Sequence, residues 1–277
     1  MSHDNCLVIS TLQPKIYYNQ LQNTFDSYLS LLKTCQEIQK TQVICLPEYW
    51  NGIRSEGLSS ERIDKSLNFL ESLAHEYSVW LIGGSQLIKE NNLYYNRCHI
   101  FNPSGEIIGQ YDKQNPFGFE KQRGLSKGKR NFIGKIGKWK ISIRICSDLW
   151  IPSSQEELIN NNIDLLFCPS LTTLPKEDLI TYGRFMWYNL SLVRAKEAAA
   201  GVIVSDRAAQ IIRDPFWSAG ASCIVDPSKK FSNNEELGFN ILKNIPSGEF
   251  GIITSSICYD DIQLQKSYRK SMGLMLE

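Results

Sequence analysis

An α/β fold in one domain is what the sequence predicts, and three features carry the expectation. Continuous apolar runs recur at Leu7 to Ile9, Gln42 to Leu46, Val79 to Ile82, Asp164 to Cys168 and Val202 to Val204. Such runs suit strands of a parallel sheet covered on both faces. Between them, apolar residues return every three or four positions, first as Leu21, Phe25, Tyr28, Leu32 and Cys35, then as Ile63, Leu67, Leu70, Ala74 and Tyr77. That spacing gives amphipathic helices packed on a sheet. A third helix is expected from Gly183 to Ala200. The middle of the chain changes character: Tyr95 to Phe101, Ile107 to Tyr111, Asn131 to Ile136 and Lys140 to Ile145 are strand-like, with short glycine-containing links. Asn102-Pro103-Ser104-Gly105-Glu106 is a turn by composition, and Asp226-Pro227-Ser228-Lys229-Lys230 repeats its chemistry after a strand at Ala221 to Val225. No Pro-rich linker, low-complexity tract or repeat divides the chain, so residues 1–277 are expected to form one domain, with 259–277 as a C-terminal tail.

Composition narrows the function. The 277 residues are 42% hydrophobic, enough for a packed core, and 30 Lys plus Arg against 29 Asp plus Glu leave a formal charge of +1. No electrostatic footprint for nucleic acid or an anionic membrane results. The opening Met1 to Cys6 lacks a basic region before a long apolar stretch, and no apolar run approaches the roughly 20 residues that cross a bilayer. A cytoplasmic protein is expected. The 8 cysteines include no CxxC pair and sit mostly in apolar runs, which suggests buried reduced thiols and neither disulfides nor zinc ligands. Only 3 histidines occur, at 3, 75 and 99. They offer no metal cluster, and a Ser-His or Cys-His hydrolase is disfavoured. With no phosphate-cradling loop or dinucleotide fingerprint, no cofactor is expected.

Three segments place a reactive side chain where a strand-like run stops: Glu48 in Cys45-Leu46-Pro47-Glu48, Lys113 in Tyr111-Asp112-Lys113, and Cys146 in Ile143-Arg144-Ile145-Cys146-Ser147-Asp148. A carboxylate, an ammonium and a thiol are the minimum set for acyl transfer through a thioester. Ile141, Ile143 and Ile145 alternate with polar residues as in a strand, and Ser153 to Glu157 opens a helix with a capping-box pattern at Ser154 and Glu157. Cys146 therefore lies at a strand-to-helix elbow, which exposes a nucleophile and aims backbone N–H groups at a developing oxyanion. Taken singly, each residue has a plainer explanation: an inert buried thiol, a structural ion pair, a solvated lysine.

Order and context together go further. The chain resembles the nitrilase superfamily of carbon-nitrogen hydrolases, whose Glu-Lys-Cys triad occurs in that chain order. Leu46-Pro47-Glu48, Tyr111-Asp112-Lys113 and Ile145-Cys146-Ser147-Asp148 look like its three motifs. Gly83-Gly84-Ser85, Tyr95-Asn96, Asn102 to Ile107, Pro169-Ser170, Arg194 to Glu197 and Gly220 to Pro227 are similar to its other segments, so the likeness runs from about Cys6 to Ile257. The resemblance implies a four-layer α-β-β-α sandwich, and commonly a homodimer or higher homo-oligomer formed through the outer helices. It also implies a second glutamate near the lysine, here Glu120, that orients Lys113 or binds the leaving amine. One segment departs from the family. Where it often has an aromatic residue, Asp, any residue and then Arg-Phe-Pro-Glu, this chain has Ser147-Asp148-Leu149-Trp150-Ile151-Pro152-Ser153.

The expected chemistry is hydrolysis of a small-molecule amide or carbamoyl C–N bond. Glu48 is the base, Cys146 the nucleophile, and Lys113 with the backbone N–H of Ser147 the oxyanion stabiliser. Tyr49, Trp50, Phe117 and Trp150 flank these positions and are candidates to bind substrate, with Phe119 nearby. Two alternatives are a nitrile hydrolase with the same triad and a catalytically silent binding or assembly subunit. The altered segment after Cys146 is the best support for the second.

Overall fold

The computed structural model of the chain describes residues 5–229 and 241–275. Its first sheet contains β1 (Cys6–Gln13), β2 (Val43–Cys45), β3 (Trp80–Ile82), β4 (Gln86–Glu90), β5 (Leu93–Phe101), β6 (Ile107–Asp112) and β16 (Gly251–Cys258). The strand order is β16-β1-β2-β3-β5-β4, with β6 also paired to β5. The second contains β7 (Ile133–Ile136), β8 (Trp139–Ile143), β9 (Leu165–Pro169), β11 (Gly201–Ser205), β14 (Cys223–Val225) and β15 (Leu242–Asn244), in the order β15-β14-β11-β9-β8-β7. Among the described residues, parallel pairing is confined to β1-β2-β3 and β8-β9-β11. The continuous apolar runs foretell all of these but β8, which the alternating segment Lys140 to Ile145 marks. A small third sheet joins β10 (Thr173–Pro175), β12 (Ile211–Arg213) and β13 (Phe216–Ser218).

Alternation along the buried strands builds the layers. Val43 and Cys45 of β2, Leu165 and Phe167 of β9, and Ile203 of β11 meet in one core between the two sheets. Ile44 and Leu46 turn the other way, onto α1 (Leu21–Thr34) and α2 (Ser60–Glu76). Leu166, Cys168, Val202 and Val204 likewise face α4 (Ser153–Asn160) and α5 (Met186–Ala198), so the order is helix, sheet, sheet, helix. A short α3 (Phe119–Gln122) sits beyond β6. Ser59 caps α2 by accepting from the Arg62 N–H at 3.3 Å. No helix among the described residues is long and apolar enough to cross a membrane.

Several expectations need correction. The stretch 259–277 is no loose tail, because Tyr259–Ser271 forms helix α6, docked through buried Ile262 and Lys266. Its mostly polar sequence hides so narrow an apolar stripe. Helix α4 starts at Ser153 behind Pro152, which places Ser154 inside the first turn and not at the cap. The Ser154 side chain lies outside the described residues, as do His3, Lys230 and residues 276–277. Glu157, its supposed capping partner, instead accepts from Asn131 and lies 3.7 Å from Arg144. The third helix begins as a wide π-helical segment, Leu179–Phe185, before α5. Nor are all cysteines free. Cys6 and Cys258 face each other across β1 and β16 and form a disulfide, although 252 positions separate them. Spacing rules see local pairs only and are blind to sheet register.

Candidate active site

The carboxyl ends of β2, β6, β8 and β9 converge, as ligand-binding edges of parallel sheets do. After β2 the chain passes Pro47, and the Glu48 N–H donates to the Ser170 carbonyl beyond β9 at 3.1 Å. Tyr49 then adopts a left-handed φ of 50° and Cys146 one of 46°. A non-glycine residue there costs on the order of 1–3 kcal/mol and persists where its surroundings hold it. Gly84 shows how close the backbones approach, since a Cβ on it would lie 2.3 Å from the Pro47 carbonyl oxygen. Arg207, fully buried, donates to the main-chain carbonyls of Glu48 (3.2 and 3.3 Å) and Tyr49 (2.5 Å) and to the Tyr18 hydroxyl (2.7 Å).

Lys113 follows β6, its N–H bonded to the Asn96 carbonyl of β5 at 2.9 Å. Its ammonium lies 2.7 Å from Glu48 Oε1 and 2.7 Å from Glu120 Oε2. Glu120 is held by the Tyr49 hydroxyl at 2.6 Å and the Phe117 N–H at 2.8 Å. The Asn96 amide donates to both Glu48 and Glu120. Cys146 opens a 3-10 turn, Cys146–Trp150, whose first N–H groups lack intrahelical partners. Asp148, in that turn, accepts from the Tyr111 hydroxyl (2.8 Å), the Asn115 N–H (2.8 Å) and amide (2.9 Å), and the Ile145 N–H (3.2 Å). It thereby clasps the cysteine elbow to the lysine loop.

Charge is distributed unevenly in this cluster. Burial raises the Glu48 carboxyl above the ordinary glutamate range, helped by the charge on Glu120 and opposed by Lys113 and a hydrogen bond from Cys146. In Glu120 burial also works upward, but Lys113, the Tyr49 hydroxyl and the Phe117 N–H outweigh it and leave that carboxyl low. Burial would depress the Lys113 ammonium, yet Glu48, Cys146 and Glu120 hold it well above an ordinary lysine. Burial and then the Glu48 charge push the Cys146 thiol up, against Lys113, so the resting sulfur keeps its proton. Two carboxyls pushed in opposite directions indicate different roles.

A model of the carbon-nitrogen hydrolase family matches residues 8–236. The chain belongs to that family. Relatives in sequence include the 2-oxoglutaramate amidase of Bacillus subtilis (strain 168), 25% identical over 69% of this chain and 73% of the relative. Another is omega-amidase NIT2-B of Xenopus laevis, 24% identical over 72% and 75%. Among solved structures, Nit3 of Saccharomyces cerevisiae, a member of branch 10 of the nitrilase superfamily, superposes with a TM-score of 0.74 at 19% identity, covering 99% of this chain and 96% of Nit3. An amidase from Nesterenkonia sp. gives 0.73 at 15% identity, covering 98% of each chain. The chain's fold is that of the nitrilase superfamily.

The hydrolase brings Glu48, Lys113, Glu120 and Cys146 together, the first three almost wholly buried and the thiol only partly so. Ser147, the expected oxyanion donor, anchors its side chain on the Asn115 carbonyl at 2.6 Å and leads with its N–H in the first turn after Cys146. Tyr49 is not an open substrate contact, because its hydroxyl is committed to Glu120. Trp50 is excluded from substrate binding. The left-handed Tyr49 turns the chain back, and the fully buried indole packs beneath α1 and α2 against Phe25 and Phe69, at 5.9 and 5.8 Å, which stack on each other at 4.1 Å. Phe117 and Trp150 are exposed, at 69% and 41%, and Trp150 packs edge-on against Trp187. His75 lies on α2 and His99 is a core residue in β5, its imidazole pushed down to about 4 by burial. Among the described residues no group of three or more His, Cys, Asp or Glu is arranged to hold a metal. Sequence reasoning missed the supporting residues Asp148, Arg207 and Asn96. The first and last stood inside quoted motifs, and only their partners reveal what they do.

Proposed function

We propose that this hydrolase cleaves the C–N bond of small-molecule amides through a thioester on Cys146. The observation that carries the reading is the unequal pair of carboxylates 2.7 Å from Lys113: Glu120 also accepts from the Tyr49 hydroxyl and the Phe117 N–H, which keep it low, whereas burial raises Glu48. A carboxylate of raised pKa is the better general base near neutrality. Glu48 takes the Sγ proton as sulfur bonds to the amide carbonyl carbon, and the carbonyl π pair moves onto oxygen. An ammonium has three N–H donors. Lys113 directs two at the carboxylates, and its third, with the Ser147 N–H, receives the oxyanion. On collapse the C–N bond breaks, and the departing nitrogen takes the proton from Glu48. Water then gives a proton to Glu48 as its oxygen bonds to the thioester carbon, the C–S bond breaks, and the proton returns to sulfur. Glu120 stays ionised and fixes Lys113.

The names of the relatives make 2-oxoglutaramate and other ω-amides the first compounds to assay. Exposed Phe117 and Trp150 suit an apolar or aromatic acyl group. A homodimer or higher homo-oligomer, acting on free small molecules in the cytoplasm without nucleic acid or membrane, belongs to the same proposal. Intact-mass spectrometry after exposure to a panel of amides and the matching nitriles tests it. The expected result is an acyl adduct on the parent protein from amides, and none on Cys146→Ala, which is inactive. Faster acylation by nitriles would shift the assignment to a nitrile hydrolase. A parent protein that acquires no adduct and turns over no compound would indicate a silent subunit.

A further inference from the structure

Among the described residues, Lys113 and Asn96 both bridge the two carboxylates. Asn96, within β5, donates from a single Nδ2 to Glu48 Oε1 and to Glu120 Oε1, 2.8 Å each, and its carbonyl also holds the Lys113 main chain. A side-chain amide has two N–H donors, so both are used here. Asn96 is only 2% exposed, and its Oδ1 has no hydrogen-bond partner among the described residues. Turning the amide over would set that oxygen against two carboxylate oxygens. The two charges therefore impose its orientation.

The consequence is atomic. Glu48 Oε1 is occupied by Lys113 and Asn96, so Oε2 is the oxygen that neither engages, while the Cys146 thiol rests 3.8 Å from the Leu171 carbonyl. We propose that Asn96 is a positioning residue: by gripping one oxygen of each glutamate it selects Oε2 of Glu48 as the proton acceptor and keeps two adjacent carboxylates ionised. The inference rests on Glu48 being the base. Facing Glu48 are Lys113, Glu120, Cys146, Tyr49 and Cys168, with the Arg207 guanidinium on its main-chain carbonyl. Of the donors to the two carboxylates, Asn96 is the uncharged group that serves both. Without it, each carboxylate is easier to protonate.

The test compares Asn96→Leu and Asn96→Ser with the parent, reading kcat/KM against pH and the rate of Cys146 alkylation by iodoacetamide against pH. In Asn96→Leu the acid limb of both profiles should move up by about one pH unit, a tenfold loss of rate on that limb. Asn96→Ser, which keeps one hydroxyl donor, should move it less. A purely structural asparagine would lower the melting temperature and reduce the rate equally at every pH. A folded Asn96→Leu with an unmoved limb overturns the proposal. Should neither variant fold, the side-chain amide proton and nitrogen resonances of Asn96 in the parent protein decide: they must titrate with the acid limb, and flat resonances overturn the assignment. Glu48→Gln separates the two layers of the argument. A limb that persists in Glu48→Gln defeats the base assignment itself, whereas a limb lost there but unmoved in the asparagine variants defeats the asparagine alone.

Discussion

Two lysines of this molecule are each 3% exposed, and their surroundings differ in kind. Lys266, on α6, lies 2.5 Å from Asp164 Oδ1 and donates to the Asn162 carbonyl at 3.0 Å. Asp164 accepts in turn from the Lys140 N–H and the Gln263 amide, both at 2.7 Å. One cation meets one anion, and the result fastens a helix to the start of β9. Burial, with Lys140 and Lys270 nearby, leaves that ammonium below an ordinary lysine despite Asp164. Lys113 faces two carboxylates and a thiol, which hold it above one. A buried ion pair is therefore no sign of catalysis by itself. An excess of negative charge around the cation, beside a nucleophile, is the feature that separates the two sites.

The sharpest way to break this contrast is to remove each lysine. Lys113→Met should reduce kcat on the order of a hundredfold to a thousandfold, the effect of losing one oxyanion donor. Lys266→Met should leave kcat within about twofold. It should also destabilise the fold by about 3–5 kcal/mol, because Asp164 is left buried without its cation. Steady-state kinetics and differential scanning calorimetry on both variants check this, and comparable turnover losses would erase the distinction. A smaller effect sharpens the difference between the two glutamates. Because the Glu48 carboxyl is raised, its anion disappears as pH falls through a value above the ordinary glutamate range, and kcat/KM should decline there. Removing the charge of Glu120 removes one upward influence on Glu48. Glu120→Gln should thus shift the acid limb to lower pH while slowing turnover, and an upward shift would contradict the arrangement. Least affected should be Phe117→Ala. With a ring 69% exposed, stability should change by no more than about 0.5 kcal/mol. KM for aromatic amides should rise a few-fold with kcat held, and an equal change for acetamide-sized substrates would place the ring away from the acyl group.

Much of this was legible in the sequence for a simple reason. Glu48, Lys113 and Cys146 each end an apolar or alternating strand, and the ends of such strands collect at one edge of an α/β fold. The paired helices α1 and α2 and the double-faced strands β2, β9 and β11 were equally plain, because a residue buried on both sides leaves no polar gaps. What stayed hidden depends on partners distant in sequence. The disulfide needs the register of β1 against β16. Trp50 reads as a pocket residue until the left-handed Tyr49 sends it beneath α1 and α2. Arg207 resembles any polar residue after a strand, yet it grips main-chain carbonyls 158 and 159 positions away. β10, β12, β13 and β15 are three residues long and lie in no continuous apolar run such as those that mark the equally short β2 and β3, so they leave no pattern to read.

The unspent hydrogen on Lys113 has a use in reagent design. An aldehyde that adds to Cys146 becomes a tetrahedral hemithioacetal, and its alkoxide would sit where that hydrogen points. A chloroacetamide alkylates the same sulfur without placing an oxyanion there. Reversible aldehydes should therefore gain selectivity for this pocket over other protein thiols, since compounds that imitate an enzyme's transition state are held far more tightly than its substrates.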